Sequence, residues 1–248
     1  MSEKNARRWV LALESSTVNG GAALVRDGEV AAVVRLEEGL RHGRELMPAA
    51  AALLEDNNLR PADLWGVAVS YGPGSYTGIR VGVMAAKALA YGAGCGLTAV
   101  SSLAALATSL LLENQAVPGD RVMAVQDARR DEVYVGLYRI EKDGAVAILP
   151  DAAVTPEEAM ARLCELETDD QGRLLAVGSG LSTYGDLFVD TGAMLASCGA
   201  VHPGAVGLLG WRQLLREEIA DPMHLQPVYL RRDEGADWRH DHLITQGK

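Results

Sequence analysis

Read from end to end, the chain runs through one order of elements twice: three strands, a helix, a strand and a helix. In the first half, residues 9–14 form an apolar run short enough for a buried strand. Gly20-Gly21 separates it from residues 22–26, and Asp27-Gly28 is a hairpin turn before residues 30–36. Residues 42–57 place Leu46, Ala49, Ala50, Leu53 and Leu54 at helical spacing, with Pro48 expected in the first turn or at a kink. Residues 66–70 read as a buried strand, 75–93 as a helix and 97–100 as a strand. Ser101 or Ser102 then caps a helix that carries Leu103, Leu106, Leu110 and Leu111 on one stripe.

The second half echoes the first. Residues 122–126, 132–140 and 146–149 read as strands joined by turns at 127–131 and at Asp143-Gly144. Thr155-Pro156-Glu157-Glu158 starts a helix, with a threonine cap, a proline at the first helical position and a capping-box glutamate. A strand at 173–177 and a helix at 203–219 follow, the latter with Leu208, Trp211, Leu215 and Ile219 on one face. Two such units predict an α/β fold of duplicated βββαβα lobes, the actin-like (ASKHA, ribonuclease H-like) architecture, whose cleft commonly receives a nucleotide. The expected lobes are 9–116 and 117–222, followed by a polar C-terminal tail at 223–248.

Composition narrows the chemistry. No apolar run reaches the roughly 18–20 residues of a membrane span, and no signal-peptide core follows the basic start, so a cytoplasmic protein is expected. Net charge is −10 and aromatic residues are 5%, which suits neither phosphate neutralisation nor base stacking; any RNA would be gripped by another protein. Cys95, Cys164 and Cys198 are odd in number and far apart, fitting neither a disulfide framework nor a zinc site. His42 is followed four residues on by Leu46, so no helical histidine pair exists to hold a metal, and no serine–histidine–acid set can be assembled.

The most distinctive stretch is Ser70-Tyr71-Gly72-Pro73-Gly74-Ser75-Tyr76-Thr77-Gly78-Ile79-Arg80-Val81-Gly82, a glycine-rich turn leading into a helix. It is either an anion cradle at a helix N-terminus or a tight turn capped by Ser75 or Thr77, and it lacks the Lys-Ser/Thr of a P-loop. Gly78, Gly82, Ala86 and Ala90 then recur every four residues. Glycine inside a helix costs about 1 kcal/mol relative to alanine, and such a stripe suits close backbone contact, either with the chain's own sheet or with a second subunit. Glu14 and Ser15 stand at the end of the first strand, where actin-like nucleotide enzymes hold an aspartate. Asp127 in the second-lobe turn and Gly178 and Gly180 after a later strand complete a candidate nucleotide set, each with a purely structural alternative.

The motifs Leu11-Ala12-Leu13-Glu14-Ser15-Ser16-Thr17, the glycine-rich block, Ser101-Ser102-Leu103, Asp127-Ala128-Arg129-Arg130-Asp131-Glu132-Val133-Tyr134 and Pro227-Val228-Tyr229-Leu230-Arg231 together resemble the TsaB family, also called YeaZ. The resemblance implies a non-catalytic scaffold or activator that pairs with TsaD, with TsaE joining, for threonylcarbamoyl transfer to the tRNA adenosine 3′ of the anticodon. It implies a homodimer when TsaD is absent, tRNA contact only through the complex and no cofactor of the chain's own, and it leaves open a nucleotide, ATP or ADP, at the partner interface. Family pairing through the two first-lobe helices tips the small-residue stripe towards a subunit seam built from His42, Leu46, Met47, Ala50, Gly78, Gly82 and Ala86. The rival reading is a stand-alone actin-like phosphotransferase or ATPase, with Glu14 and Asp127 positioning a metal nucleotide and the Gly178 loop holding the base.

Overall fold

A computed structural model describes residues 8–37, 42–164 and 172–231. The first lobe comprises β1 (Trp9–Glu14), β2 (Gly21–Arg26), β3 (Glu29–Arg35), α1 (His42–Asp56), β4 (Gly66–Gly72), α2 (Tyr76–Ala93), β5 (Gly96–Ser101) and α3 (Ser102–Leu112). The second comprises β6 (Arg121–Arg129), β7 (Glu132–Glu141), β8 (Gly144–Val154), α4 (Pro156–Cys164), β9 (Leu174–Val177), α5 (Leu181–Val189), β10 (Met194–Leu195) and α6 (Pro203–Leu215). The helix starts use the caps the sequence offers. Ser75 Oγ accepts from the Gly78 amide, Ser101 Oγ from the Ala104 amide and Thr155 Oγ1 from the Glu158 amide. Pro48 lies inside α1, beyond its first turn.

The strand orders are β3-β2-β1-β4-β5 and β10-β9-β6-β7-β8. Read from its other edge, the second is the first again, with an antiparallel meander followed by parallel strands in both sheets. The fold is therefore the duplicated α/β architecture of the actin-like type. Its repeat is longer than the sequence suggests: each lobe is βββαβαβα. In the second lobe α5 and β10, absent from the sequence expectation, stand between β9 and α6, so α5 and not α6 is the counterpart of α2. Gly185 interrupts the α5 pattern, and a two-residue strand has no period to detect.

The last helix of each lobe crosses to the other. α3 packs on β6, β7 and β8 of the second lobe, while α6 packs on the whole first-lobe sheet. α3 is apolar around its circumference and buried at nearly every position from Ser102 to Leu110, as a helix clamped from both sides must be. One core cluster consequently runs through both lobes, from Val10 and Ala12 to Ile140 and Leu175. A second link is polar: half-buried Asp151 on β8 accepts hydrogen bonds from Ser101 at the end of β5 and from Tyr138 on β7. Residues 223–231, assigned by sequence to a polar tail, instead pack on the body. Leu225 joins the first-lobe core and the Val228 amide donates to Tyr71 O at 2.8 Å. The remainder of that tail lies outside the described residues.

Candidate functional site

The glycine-rich block and the turn after β1 are built against each other. The Ser75 amide donates to Ser16 O at 2.8 Å, and Ser15 Oγ donates to Gly78 O at 2.8 Å. A Cβ at Gly74 would sit 2.4 Å from Ser16 O, one at Gly78 would sit 2.0 Å from Ser15 O, and one at Gly82 would sit 2.3 Å from Ser15 Oγ. The stripe is thus the inner face of α2: Gly78, Gly82, Ala86 and Ala90 are all buried. Leu46 and Ala50 of α1 are buried with it. Five residues of the expected seam are buried within the chain itself: Gly78 and Gly82 lie against the β1–β2 turn, while Leu46, Ala50 and Ala86 belong to the first-lobe core. Met47 is exposed, and the side chain of His42 lies outside the described residues.

Glu14 and Ser15 take the structural roles left open by the sequence. Glu14 is fully buried; its Oε1 accepts from the Ser16 amide at 2.7 Å, Ser16 Oγ at 2.6 Å and the Thr17 amide at 3.2 Å. Its carboxylate therefore caps its own turn. Burial pushes the carboxyl above its ordinary value of 4.5, against the opposing influence of Ser16, the nearby Ser70 hydroxyl and Thr17. Oε2 and Ser70 Oγ are both buried and neither makes a hydrogen bond of normal geometry, an arrangement that a proton on the carboxyl relieves.

The folded chain thus holds this proton more tightly than the unfolded one. The contribution to stability is complete below the ordinary value of 4.5 and is lost as pH rises through the raised folded value. Glu14→Gln should remove that pH dependence. Thermal melts should show the variant's Tm falling less than wild type's from acid to neutral pH, with no deficit at neutrality. A deficit at neutral pH would mean that the turn needs the charged form.

In the second lobe Asp127 is likewise turned onto its own hairpin. Its Oδ1 accepts from the Arg129 amide at 2.7 Å, its Oδ2 pairs with the Arg129 guanidinium at 3.1 Å, and its amide donates to Ser179 Oγ at 3.2 Å. The hairpin is tight, with Arg129, Arg130 and Asp131 all in the left-handed region at φ 66°, 53° and 60°. Gly178 has φ 123°, and its Cβ position lies 2.2 Å from Val125 O, so only glycine fits that turn. Gly180 donates to Val125 O at 3.1 Å. Gly178 lines an open depression with Leu181, Ser182, Leu195 and Cys198. The structure therefore joins Asp127, Gly178 and Gly180 around the end of β6, and separately joins Glu14 and Ser15 under α2. The hydrogen bonds of each group are made within its own lobe.

The sequence reading missed the surface on the opposite side of the same two helices. Met84 and Tyr91 of α2 are 63% and 75% exposed, and Met47 of α1 is 37% exposed. Pro48, Ala51, Ala52 and Ala88 are exposed around them, and α1 packs beside α2. The spacing Tyr76, Arg80, Met84, Ala88 was available in sequence as a second four-residue ridge, rotated away from the glycine stripe. Exposed methionine and tyrosine on one ridge are residue types that protein interfaces favour.

Comparison with known proteins gives this geometry a context. Residues 28–184 match the family model described as TsaD, tRNA N6-adenosine threonylcarbamoyltransferase. The chain is 32% identical over 235 residues to a tRNA threonylcarbamoyladenosine biosynthesis protein TsaB of Bacillus subtilis, spanning 92% of this chain and 97% of that protein. It is 30% identical to the protein of the same name from Escherichia coli, over 90% of this chain and 94% of that one. A solved structure of YeaZ from Pseudomonas aeruginosa superposes with a TM-score of 0.76 at 26% identity, covering 90% of this chain and 100% of that one.

Proposed function

We propose, because this chain belongs to the TsaB family of tRNA threonylcarbamoyladenosine biosynthesis proteins, that it serves as an accessory subunit without chemistry of its own. It pairs with TsaD, with TsaE joining, and supports transfer of the threonylcarbamoyl group to the tRNA adenosine 3′ of the anticodon. The observation that carries this reading is the similarity to TsaB proteins along nine-tenths of the chain. The exposed ridge supports a location for that pairing. Met47, Met84, Ala88 and Tyr91 form the docking face, while the glycine stripe beneath them sets the position of α2 and so the shape of that face. In the absence of TsaD, a second copy of the chain covers the same ridge.

The placement of the candidate nucleotide residues supports an accessory role. Glu14 is turned onto its own backbone and Asp127 onto its own hairpin, so neither presents a free carboxylate for a metal nucleotide. Two calorimetric titrations of the purified chain test the proposal. TsaD should bind with an affinity typical of specific protein pairs, and ATP with magnesium should give no binding at micromolar levels. Micromolar ATP binding and hydrolysis by the chain alone, with no TsaD binding, would replace this reading with that of a stand-alone enzyme. A nucleotide that binds only once TsaD is present would place its site at the partner interface.

A further inference from the structure

The segment that follows α6 runs along the first lobe and ends on the second. The Ala220 amide donates to Leu97 O on β5 at 2.8 Å, Leu225 is buried in the first-lobe core, and Lys87 Nζ donates to Leu225 O at 3.0 Å. Val228 then lies on the end of β4. Its amide bonds Tyr71 O, and its carbonyl oxygen sits 2.6 Å from where a Cβ at Gly72 would be, so a side chain there would expel it. Tyr229 stacks on Tyr76 with ring centroids 5.3 Å apart, and its hydroxyl accepts from Arg80 Nε at 2.7 Å. The Arg80 guanidinium lies 4.0 Å from the Tyr76 ring centroid, so the stack is closed on three sides.

Two residues later the chain reaches the other lobe. The Arg231 guanidinium donates to Ala128 O and Arg129 O, each at 3.3 Å, and its Nε stands 3.1 Å from the Glu132 carboxylate. All three partners belong to the β6–β7 hairpin, whose left-handed residues shape the tip that Arg231 grips. The segment therefore bridges the carboxyl ends of β4 and β6, which are parallel-paired strands of the two sheets. In open α/β sheets that end is where ligands enter. The lobes are otherwise joined through α3, α6 and the Asp151 cluster.

We propose that residues 225–231 form a latch that ties the two lobes together across the carboxyl ends of β4 and β6, with Arg231 as its bolt and the Tyr76–Arg80–Tyr229 stack as its anchor. With the bolt released, the lobes pivot about α3 and α6 and those two strand ends move apart. The latch needs no partner or ligand, so it stands or falls independently of the accessory role proposed above.

Spin labels at Asp56→Cys in the first lobe and Asp190→Cys in the second, both exposed positions, report the lobe separation in the full chain with its own cysteines replaced by alanine. The unmodified latch should give one narrow distance. Arg231→Ala should broaden it or add a longer one, and Glu132→Gln should act in the same direction from the other side of the contact. Amide exchange in the 127–133 segment should rise about tenfold in Arg231→Ala, while α6 stays protected. Arg231→Lys, which keeps the charge but not the two-carbonyl grip, should fall between. Distance distributions of Arg231→Ala and Glu132→Gln that superpose on the parent's would overturn the latch, even if exchange at the hairpin rose. Exchange that rose equally throughout the chain would overturn it too.

Discussion

Gly78→Val should destabilise the chain strongly, and Gly82→Leu should do the same. At Gly78 the first added carbon would stand 2.0 Å from the backbone oxygen of Ser15, and at Gly82 it would stand 2.3 Å from the Ser15 hydroxyl. At Gly82 the Ser15 hydroxyl is tied to Gly78 O by its hydrogen bond, and a leucine would also crowd Val69. At Gly78 the Ser15 carbonyl is backbone and cannot step aside, so α2 would have to lift from the β1–β2 turn. That movement breaks the Ser15–Gly78 and Ser75–Ser16 hydrogen bonds and opens the core behind Ile79 and Val83. Overpacking of this kind costs about 3 kcal/mol or more, which for a chain of this size lowers Tm by about 6–12 °C. Gly92, near the end of the same helix, has nothing within 4 Å of its Cβ position. Gly92→Ala should therefore stabilise by roughly 0.5–1 kcal/mol. Opposite signs for glycines on one helix separate close approach from helix propensity. Thermal melts of the three variants check it; a Gly82→Leu variant that melts like wild type would return the stripe to the exterior.

The second large effect is on binding rather than folding. Met84→Arg with Ala88→Arg places two charges on the exposed ridge of α2 and touches none of its buried positions. Stability should stay within about 0.5 kcal/mol of wild type. Affinity for TsaD should fall about 100-fold or more, because two guanidinium groups without partners would be desolvated at the centre of the contact. The homodimer should weaken in parallel, seen as a shift to monomer in sedimentation. Lys87, whose Nζ is already engaged with Leu225 O, lies beside the ridge but is not proposed as part of it. A double variant that binds TsaD as wild type does would move the docking face elsewhere.

Much of the fold was legible because its signals are local. The meander strands, the Ser75, Ser101 and Thr155 caps and the amphipathic α1 each announce themselves within a few residues. What escaped was non-local or aperiodic. β10 is two residues long, and α5 carries Gly185 where the pattern should continue. The stripe was visible, but its direction was not, since four-residue spacing marks a face without saying what lies against it. Only the position of Ser15, 63 residues away in sequence from Gly78, decides that question. Residues 223–231 carry Met223, Leu225, Val228, Tyr229 and Leu230, but Gln226 and Pro227 interrupt them and a charged stretch follows, so the segment reads as the start of a tail. Glu14 was correctly located at a strand end, while its orientation depended on Ser16 and Thr17 folding back over it.

The most direct test of the account is tRNA threonylcarbamoylation reconstituted from TsaD and TsaE with this chain omitted, present as wild type, or present as the Met84→Arg/Ala88→Arg variant. The account predicts modification with the wild-type chain, background without it, and near-background with the folded variant. Full modification without the chain, or full modification with the variant, would contradict it.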